Sequence, residues 1–439
     1  MTTNRPASKI SCATATAIVV ANMIGTGVFI SLGFQIAGIP SGFAIVFLWV
    51  IGGLIALCGA LAYGELAAAL PRSGGEYHFL SGIFHPAVGF LAGWISATVG
   101  FAAPIALSAM AFATYLHGIF PAVPPLWAAL ALVWIVTLVH LRDARTGSAF
   151  QNVFTLLKVV LSLAFIAAGF AFARRQPVTF FPALSDAGLI CSAPFAVSLV
   201  FVMYAYSGWN AATYITAEVR DPSKSVPRSL LAGTLVVMAL YVGLNAVFLY
   251  STPIDQMRNQ VEIGLIAGRH IFGAVGGNIV GGIICLGLVS SVSSMVWVGP
   301  RVAMTMGEDL PALRWLAVKS RTERPVAAIG WQFAIVNVLI LTATFEKVLL
   351  YIQFTLIFCS FLTVLGLIVL RIRRPDLPRP CRAWGYPVTP LVFLGFSVFM
   401  MYFTIRERPV ESLAGIATLL AGLVVYAVSA RGTSGPVGR

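Results

Sequence analysis

The chain has 439 residues, of which 59% are apolar and only 10% charged, with a mean hydropathy of +0.92 and a formal net charge of +13 from 28 Lys and Arg against 15 Asp and Glu. Soluble proteins carry about 25% charged residues, so this chain cannot cover the surface of even one large water-exposed globule. Disorder, a secreted disulfide scaffold and a nucleic-acid binder are excluded, and an integral membrane protein remains.

The polar tail 1–11 is followed by an apolar stretch with no small-residue cleavage site, which reads as a retained first span rather than a signal peptide. Apolar stretches long enough to cross about 30 Å of hydrocarbon at about 1.5 Å per residue lie near 12–38, 42–69, 86–116, 124–141, 151–173, 190–217, 229–251, 275–306, 326–344, 346–370, 386–405 and 410–430, followed by a tail 431–439. The prediction is an all-α membrane protein with twelve transmembrane helices. The connections between them are too short for a soluble catalytic domain.

Span one is interrupted at Ile24-Gly25-Thr26-Gly27-Val28. Each glycine weakens a helix by about 1 kcal/mol and frees backbone groups that need new partners. Span three carries Trp94 and Phe101 as possible pocket walls, and the loop after it, 117–125, contains no cysteine. Span five carries Lys158, about 10 Å along its helix. A charge at that depth costs roughly 2.5 to 3.5 kcal/mol, so the lysine either snorkels to the nearer surface or has a polar partner inside the bundle. Span six is interrupted at Tyr204-Ala205-Tyr206-Ser207-Gly208-Trp209-Asn210, and span eight offers Ser290, Ser291, Ser293, Ser294 and Trp297. The six cysteines show no metal-ligand spacing, and no metal or cofactor is expected.

An even number of spans puts both termini on one side. Twenty of the 28 Lys and Arg lie in the tails and the loops that share their side, and seven lie in the opposite loops. The positive-inside bias makes the first set cytoplasmic. The +13 is therefore topogenic, suits an anionic inner leaflet, and says nothing about substrate.

One interrupted span in each half points to a secondary transporter built of inverted repeats with its site at the midplane. The competing reading is that Gly25 and Gly27 only allow helices to pack closely. On the first reading, the break in span one offers N–H groups and a positive half-helix end to an anion, and the break in span six offers carbonyls to an ammonium. An α-amino acid carries both groups about 3 Å apart. A membrane-embedded enzyme would need paired ionisable groups at depth, but His78, His85, His117, His140 and His270 all fall in or beside loops, so no catalytic residue is assigned. A channel would want a continuous polar lining and a receptor a large soluble domain, and the sequence contains neither.

Gly25-Thr26-Gly27-Val28-Phe29 resembles the G-S/T-G-I/V-F signature of the amino acid–polyamine–organocation (APC) transporters. So do Glu65-Leu66 with Pro71-Arg72-Ser73-Gly74-Gly75-Glu76-Tyr77, Ser207-Gly208-Trp209-Asn210, and Glu218-Val219-Arg220-Asp221-Pro222 with Val226-Pro227-Arg228. The resemblance covers about 10–370. Within the superfamily, the Gly-Trp-Asn of span six and the lysine of span five are most similar to the L-type amino acid transporter branch and its bacterial relatives. It implies a five-plus-five inverted-repeat, LeuT-like core, with repeats at 12–173 and 190–370, discontinuous helices 1 and 6, and two added C-terminal helices at 386–430. It also implies alternating access without sodium.

By the same resemblance, the backbone of Ile24, Gly25, Thr26 and Gly27 holds substrate carboxylate, Tyr204 is an aromatic lid, and carbonyls of Tyr204, Ala205 and Ser207 take the amine. Lys158 stands where a sodium-coupled relative holds Na⁺, bonding the first break and hydroxyls among Ser290, Ser291 and Ser294. Many relatives have glycine at the position of Ser207, whose hydroxymethyl narrows the site. Tyr206 is expected as a second wall, and Gly208 and Asn210 complete the substrate set, Asn210 being either substrate-facing or a tie between helices. Glu65 and Glu218 are expected to pair with loop arginines.

No Asp or Glu lies in the middle of a span, so small to medium neutral amino acids are expected. The alternative is a cationic amino acid or a polyamine held by aromatic rings. Animal relatives of the branch carry a cysteine in the loop after span three for a disulfide to an ancillary subunit. None stands here, and no such partner is expected. The expected setting is the cell inner membrane with both termini cytoplasmic.

Overall fold

The computed structural model of the protein describes residues 10–142, 147–320 and 325–432; the expected tails fall largely outside them. Its helices are α1 (Cys12–Met23), α2 (Gly27–Gly38), α3 (Gly42–Ala69), α4 (Gly75–Ile83), α5 (Pro86–Ile95), α6 (Ala102–Ile119), α7 (Pro125–Arg142), α8 (Gly147–Phe172), α9 (Leu184–Ile190), α10 (Ala193–Tyr206), α11 (Pro222–Ser251), α12 (Ile254–Met257), α13 (Ile263–Asp309), α14 (Val326–Thr342), α15 (Phe345–Arg373), α16 (Val388–Glu407) and α17 (Pro409–Gly432). The only β-type pairing among the described residues is an isolated bridge between Ile10 and Val219.

These segments become helices because apolar side chains run all the way round them, the pattern of helices with no aqueous face, and because their starts carry local caps. The Ser11, Ser41 and Ser192 hydroxyls accept from the N–H groups of Thr14, Ala44 and Phe195, while Pro86, Pro194 and Pro222 occupy first-turn positions where no N–H is needed. Among the described residues, eight helical stretches are long and apolar enough to cross a membrane, nine if the bent pair α1 and α2 counts as one. Three shorter apolar helices, Pro125–Leu141, Leu156–Phe172 and Val326–Thr342, occupy the places of expected spans four, five and nine. The chain is a multi-pass, all-helical membrane protein.

The structure differs from the expected elements in three places. Span three is α5 and α6 joined by one π-type turn, Ser96–Gly100. Span eight is the second part of the long α13, which turns at Gly273 (φ 76), so residues 263–272 form a separate arm before it. Helices α4, α9 and α12 stand in segments read as loops, being too short to show in a span-length hydropathy pattern.

The bundle is centred on α3 lying along α11, with α1 on α11, α13 on α6 and α10 between α2 and α3. At its heart Trp49, Tyr206 and Tyr241 pack ring to ring at 5.1 to 6.1 Å. Their polar atoms are satisfied inside the core: Tyr206 donates to the Trp49 carbonyl at 3.0 Å, and the Trp49 indole to Gln35 at 3.0 Å. Buried polar atoms left unpaired would each cost about 1 to 3 kcal/mol.

Candidate functional site

The first break is short. Ile24 leaves α1 at ψ 83, Gly25 turns its N–H back to the Met23 carbonyl at 2.8 Å, and the helix resumes at Gly27 on an axis bent by 41°. Of the first-turn N–H groups of α2, that of Phe29 turns back to the Thr26 carbonyl at 3.2 Å, and the helix start carries a partial positive charge. The second break is wider. α10 stops at Tyr206, Ser207 is extended (ψ 146), Gly208 is left-handed (φ 95), and the chain recoils over Ala211–Glu218 only as 3₁₀ turns. Within it the Gly208 and Asn210 carbonyls accept the N–H groups of Ala211 and Thr213 at 3.0 and 2.9 Å in short turns rather than in an α-helix.

The fold sets these breaks against each other. A Cβ built on Gly27 would lie 2.4 Å from the Cα of Ala205, so only glycine allows the two backbones this approach. Beside that contact the hydroxyls of Thr26 and Tyr204 are 3.2 Å apart. The Tyr241 hydroxyl of α11 reaches both chains, 2.5 Å from the Met23 carbonyl and 3.1 Å from that of Ala205. It has one hydrogen to give, and the shorter distance assigns it to Met23. Tyr241 was absent from the expected set because nothing local marks it: it is one aromatic residue in an unbroken apolar helix.

Lys158 of α8 is buried and donates to Ser291 of α13 at 2.8 Å, and Ser291 in turn donates to the Gly287 carbonyl of its own helix at 3.1 Å. A small cavity lined by Gly25, Phe29, Lys158, Gly287, Leu288 and Ser291 joins this pair to the first break. The ammonium is therefore inside the bundle and beside the break. Its hydrogen-bond partner among the described residues is Ser291, not break backbone.

The remaining serines are placed differently. Ser290 is fully buried, Ser294 donates to the Ser291 carbonyl at 3.0 Å, and Ser293 pairs with His140 of α7 at 2.9 Å.

Of the expected site residues, Ile24, Gly25, Thr26, Gly27, Tyr204 and Ala205 come together. Ser207 and Gly208 follow on the same strand of backbone, with a Cβ on Gly208 meeting Asn22 at 3.0 Å. Tyr206 corrects an expectation. Two residues after Tyr204, and so on the other side of α10, it packs into the α3 and α11 core and is not a wall of the site. Trp94 likewise points away, its indole donating to the Thr418 carbonyl of α17 at 3.0 Å, and Trp297 is partly exposed beneath the Arg301 guanidinium. The Asn210 amide donates to Glu76 of α4 at 3.4 Å, linking the second break to that helix. Glu65 holds Arg371 through two hydrogen bonds at 2.8 and 2.5 Å, with Arg379 at 3.4 Å, whereas the Glu218 side chain is exposed.

Two opposed backbone breaks beside a buried lysine can bind a zwitterion. Residues 10–428 match the family described as Amino acid permease. The chain belongs to that family. The permease is 29% identical over 422 residues to the mouse b(0,+)-type amino acid transporter 1, covering 93% of this chain and 85% of the relative. It is 28% identical over 436 residues to the rabbit large neutral amino acids transporter small subunit 2 (95% and 79%), and 26% identical over 431 residues to the mouse Asc-type amino acid transporter 1 (95% and 80%). In this permease the family-like blocks of the sequence are the segments that form the two breaks, the end of α3 with the start of α4, and the start of α11.

Proposed function

We propose that this permease is a sodium-independent secondary transporter of amino acids, an exchanger or proton-linked carrier that works by alternating access and takes small to medium neutral substrates. The observation that carries the reading is the apposition of Gly27 and Ala205 with Thr26 and Tyr204 beside them. It brings the N-terminal start of α2 beside the end of α10, the two ends that would take a carboxylate and an amine. The names of the relatives, which describe amino acid transporters, agree with it.

Twelve spans follow if the bent pair and the three shorter apolar helices each cross the membrane. The two repeats are then 12–173 and 190–370, related in the LeuT-like manner, with 386–430 added and both termini cytoplasmic in a cell inner membrane. Lys158 takes the place of a coupling cation: a fixed ammonium bonded to Ser291 repels Na⁺ from the same point. Substrate rests against backbone of residues 24–27 and 204–208, with the Tyr204 ring as lid. Neutral side chains are favoured because the acidic groups near the breaks are outside the cavity, and a distal ammonium or guanidinium there would be desolvated without a counter-charge. The loop between α6 and α7 carries no cysteine, so a disulfide-linked subunit at that loop is not expected.

The test is exchange of labelled alanine in proteoliposomes of the purified chain, with unlabelled competitors and with choline replacing Na⁺. Competition by alanine, serine and leucine with no effect of choline supports the proposal. Stronger displacement by arginine or lysine reassigns the permease to cationic substrates, and a several-fold loss in choline removes the role given to Lys158.

A further inference from the structure

Glu76 lies in the first turn of α4, between the two membrane stretches α3 and α5, and is 6% exposed. The left-handed residues Gly74 (φ 120) and Gly75 (φ 51) turn the chain so that its carboxylate enters the bundle. Glycine is required twice at Gly75, since a Cβ there would also meet the Tyr214 ring at 2.7 Å. Inside, one carboxylate oxygen receives three donors from three different elements. The Tyr63 hydroxyl of α3 is at 2.5 Å, the Ser360 hydroxyl of α15 at 3.1 Å and the Asn210 amide of the second break at 3.4 Å.

The charged and titratable groups of the surrounding elements leave this carboxylate without a counter-ion. Those facing it are Tyr63, Tyr214 and Cys359. Glu65 of α3 is held by Arg371 and Arg379. Arg373 of α15 reaches the Ile83 carbonyl at the far end of α4, Asp309 of α13 takes the Tyr77 hydroxyl, Arg72 is exposed, and His78 lies two residues along α4. No ion pair to Glu76 forms among the described residues. Burial pushes its carboxyl up from the usual carboxylate range, and the Tyr63 and Ser360 hydroxyls pull it partly back.

We propose that Glu76 is a proton-binding site of the transport cycle, and that binding one proton there releases the second break from α3, α4 and α15. This rests on the transporter reading above and names the group through which protons enter it. The ionised carboxylate makes charge-assisted hydrogen bonds, roughly twice as strong as neutral ones. A proton bound on the other carboxylate oxygen leaves the shared oxygen a neutral carbonyl acceptor, so the bonds from Tyr63, Ser360 and Asn210 lose their charge assistance and their common anchor weakens. The backbone after Gly208, which Asn210 tethers, is then free to swing and open the end of the pathway on the side of α4.

The experiment compares the wild type with Glu76→Gln, Glu76→Asp and Ser360→Ala in proteoliposomes, as labelled-alanine exchange against pH, and in detergent, as an infrared titration of the protonated-carboxyl band. The wild-type rate should rise several-fold on acidification. Glu76→Gln should be fast and flat with pH, and should lack one titrating carboxyl band. Glu76→Asp should keep a pH dependence. Ser360→Ala removes a donor that favours the charged form, so its profile should move to higher pH. Unaltered pH profiles in Glu76→Gln and Ser360→Ala, or a carboxyl band unchanged in Glu76→Gln, overturn the proposal. If Glu76→Gln does not fold, the Ser360→Ala shift decides. A wild type that moves no amino acid, yet shows the Glu76-dependent band, retires the substrate reading and leaves the proton site standing.

Discussion

The two breaks look alike in sequence, each a glycine-bearing interruption of an apolar span, yet glycine serves a different purpose in each. In the first, neither Gly25 nor Gly27 needs a left-handed backbone. Gly27 is required because Ala205 occupies the space of its side chain, while Gly25 has only the Met23 carbonyl nearby, at 3.9 Å, and borders the Lys158 cavity. In the second, Gly208 is required by its own φ of 95 and by Asn22 against it. A pair of glycines two residues apart therefore divides into one packing residue, Gly27, and one cavity-lining residue, Gly25.

Substitutions that add one methyl group can break this comparison. Gly27→Ala should have the largest effect: its Cβ meets backbone rather than a movable side chain, an overpacking cost at or above about 3 kcal/mol. The measurement is thermal unfolding of the purified chain in detergent together with exchange, and both should fail. A folded, active variant would mean that the two breaks are not pressed together.

Lys158→Ala should come next for activity and well below it for stability. Ser291 keeps its bond to Gly287 when the ammonium is removed, so no buried hydroxyl is orphaned. Exchange should fall by an order of magnitude or more while the unfolding temperature moves little, and full activity would make the lysine merely structural.

Gly208→Ala should cost about 1 to 2 kcal/mol from the left-handed backbone, lowering the unfolding temperature and slowing exchange without abolishing either. Gly25→Ala should change stability by less than about 0.5 kcal/mol. Its methyl enters the cavity beside Lys158, so the expected signature is a raised KM for alanine with kcat nearly kept. If Gly25→Ala proves the more destabilising of these two, the division of labour proposed for the first break is wrong.

Composition and hydropathy by themselves placed the chain in a membrane, located its apolar stretches and put both interruptions where the structure has them, because lengths of apolar sequence and glycine clusters are local properties. They also marked Lys158 as a residue needing a partner, since the cost of burying an ammonium does not depend on the fold. Which partner it found was decided by tertiary structure: Ser291 lies 133 positions away, among neighbouring serines of similar sequence surroundings. The same holds for Tyr241, which donates to the Met23 carbonyl beside that of Ala205, for the turn of Tyr206 into the core beside Trp49, and for the three donors gathered on Glu76. A helix that is apolar on every side gives no periodic signal of which face meets which neighbour, so these pairings exist only once the bundle has packed.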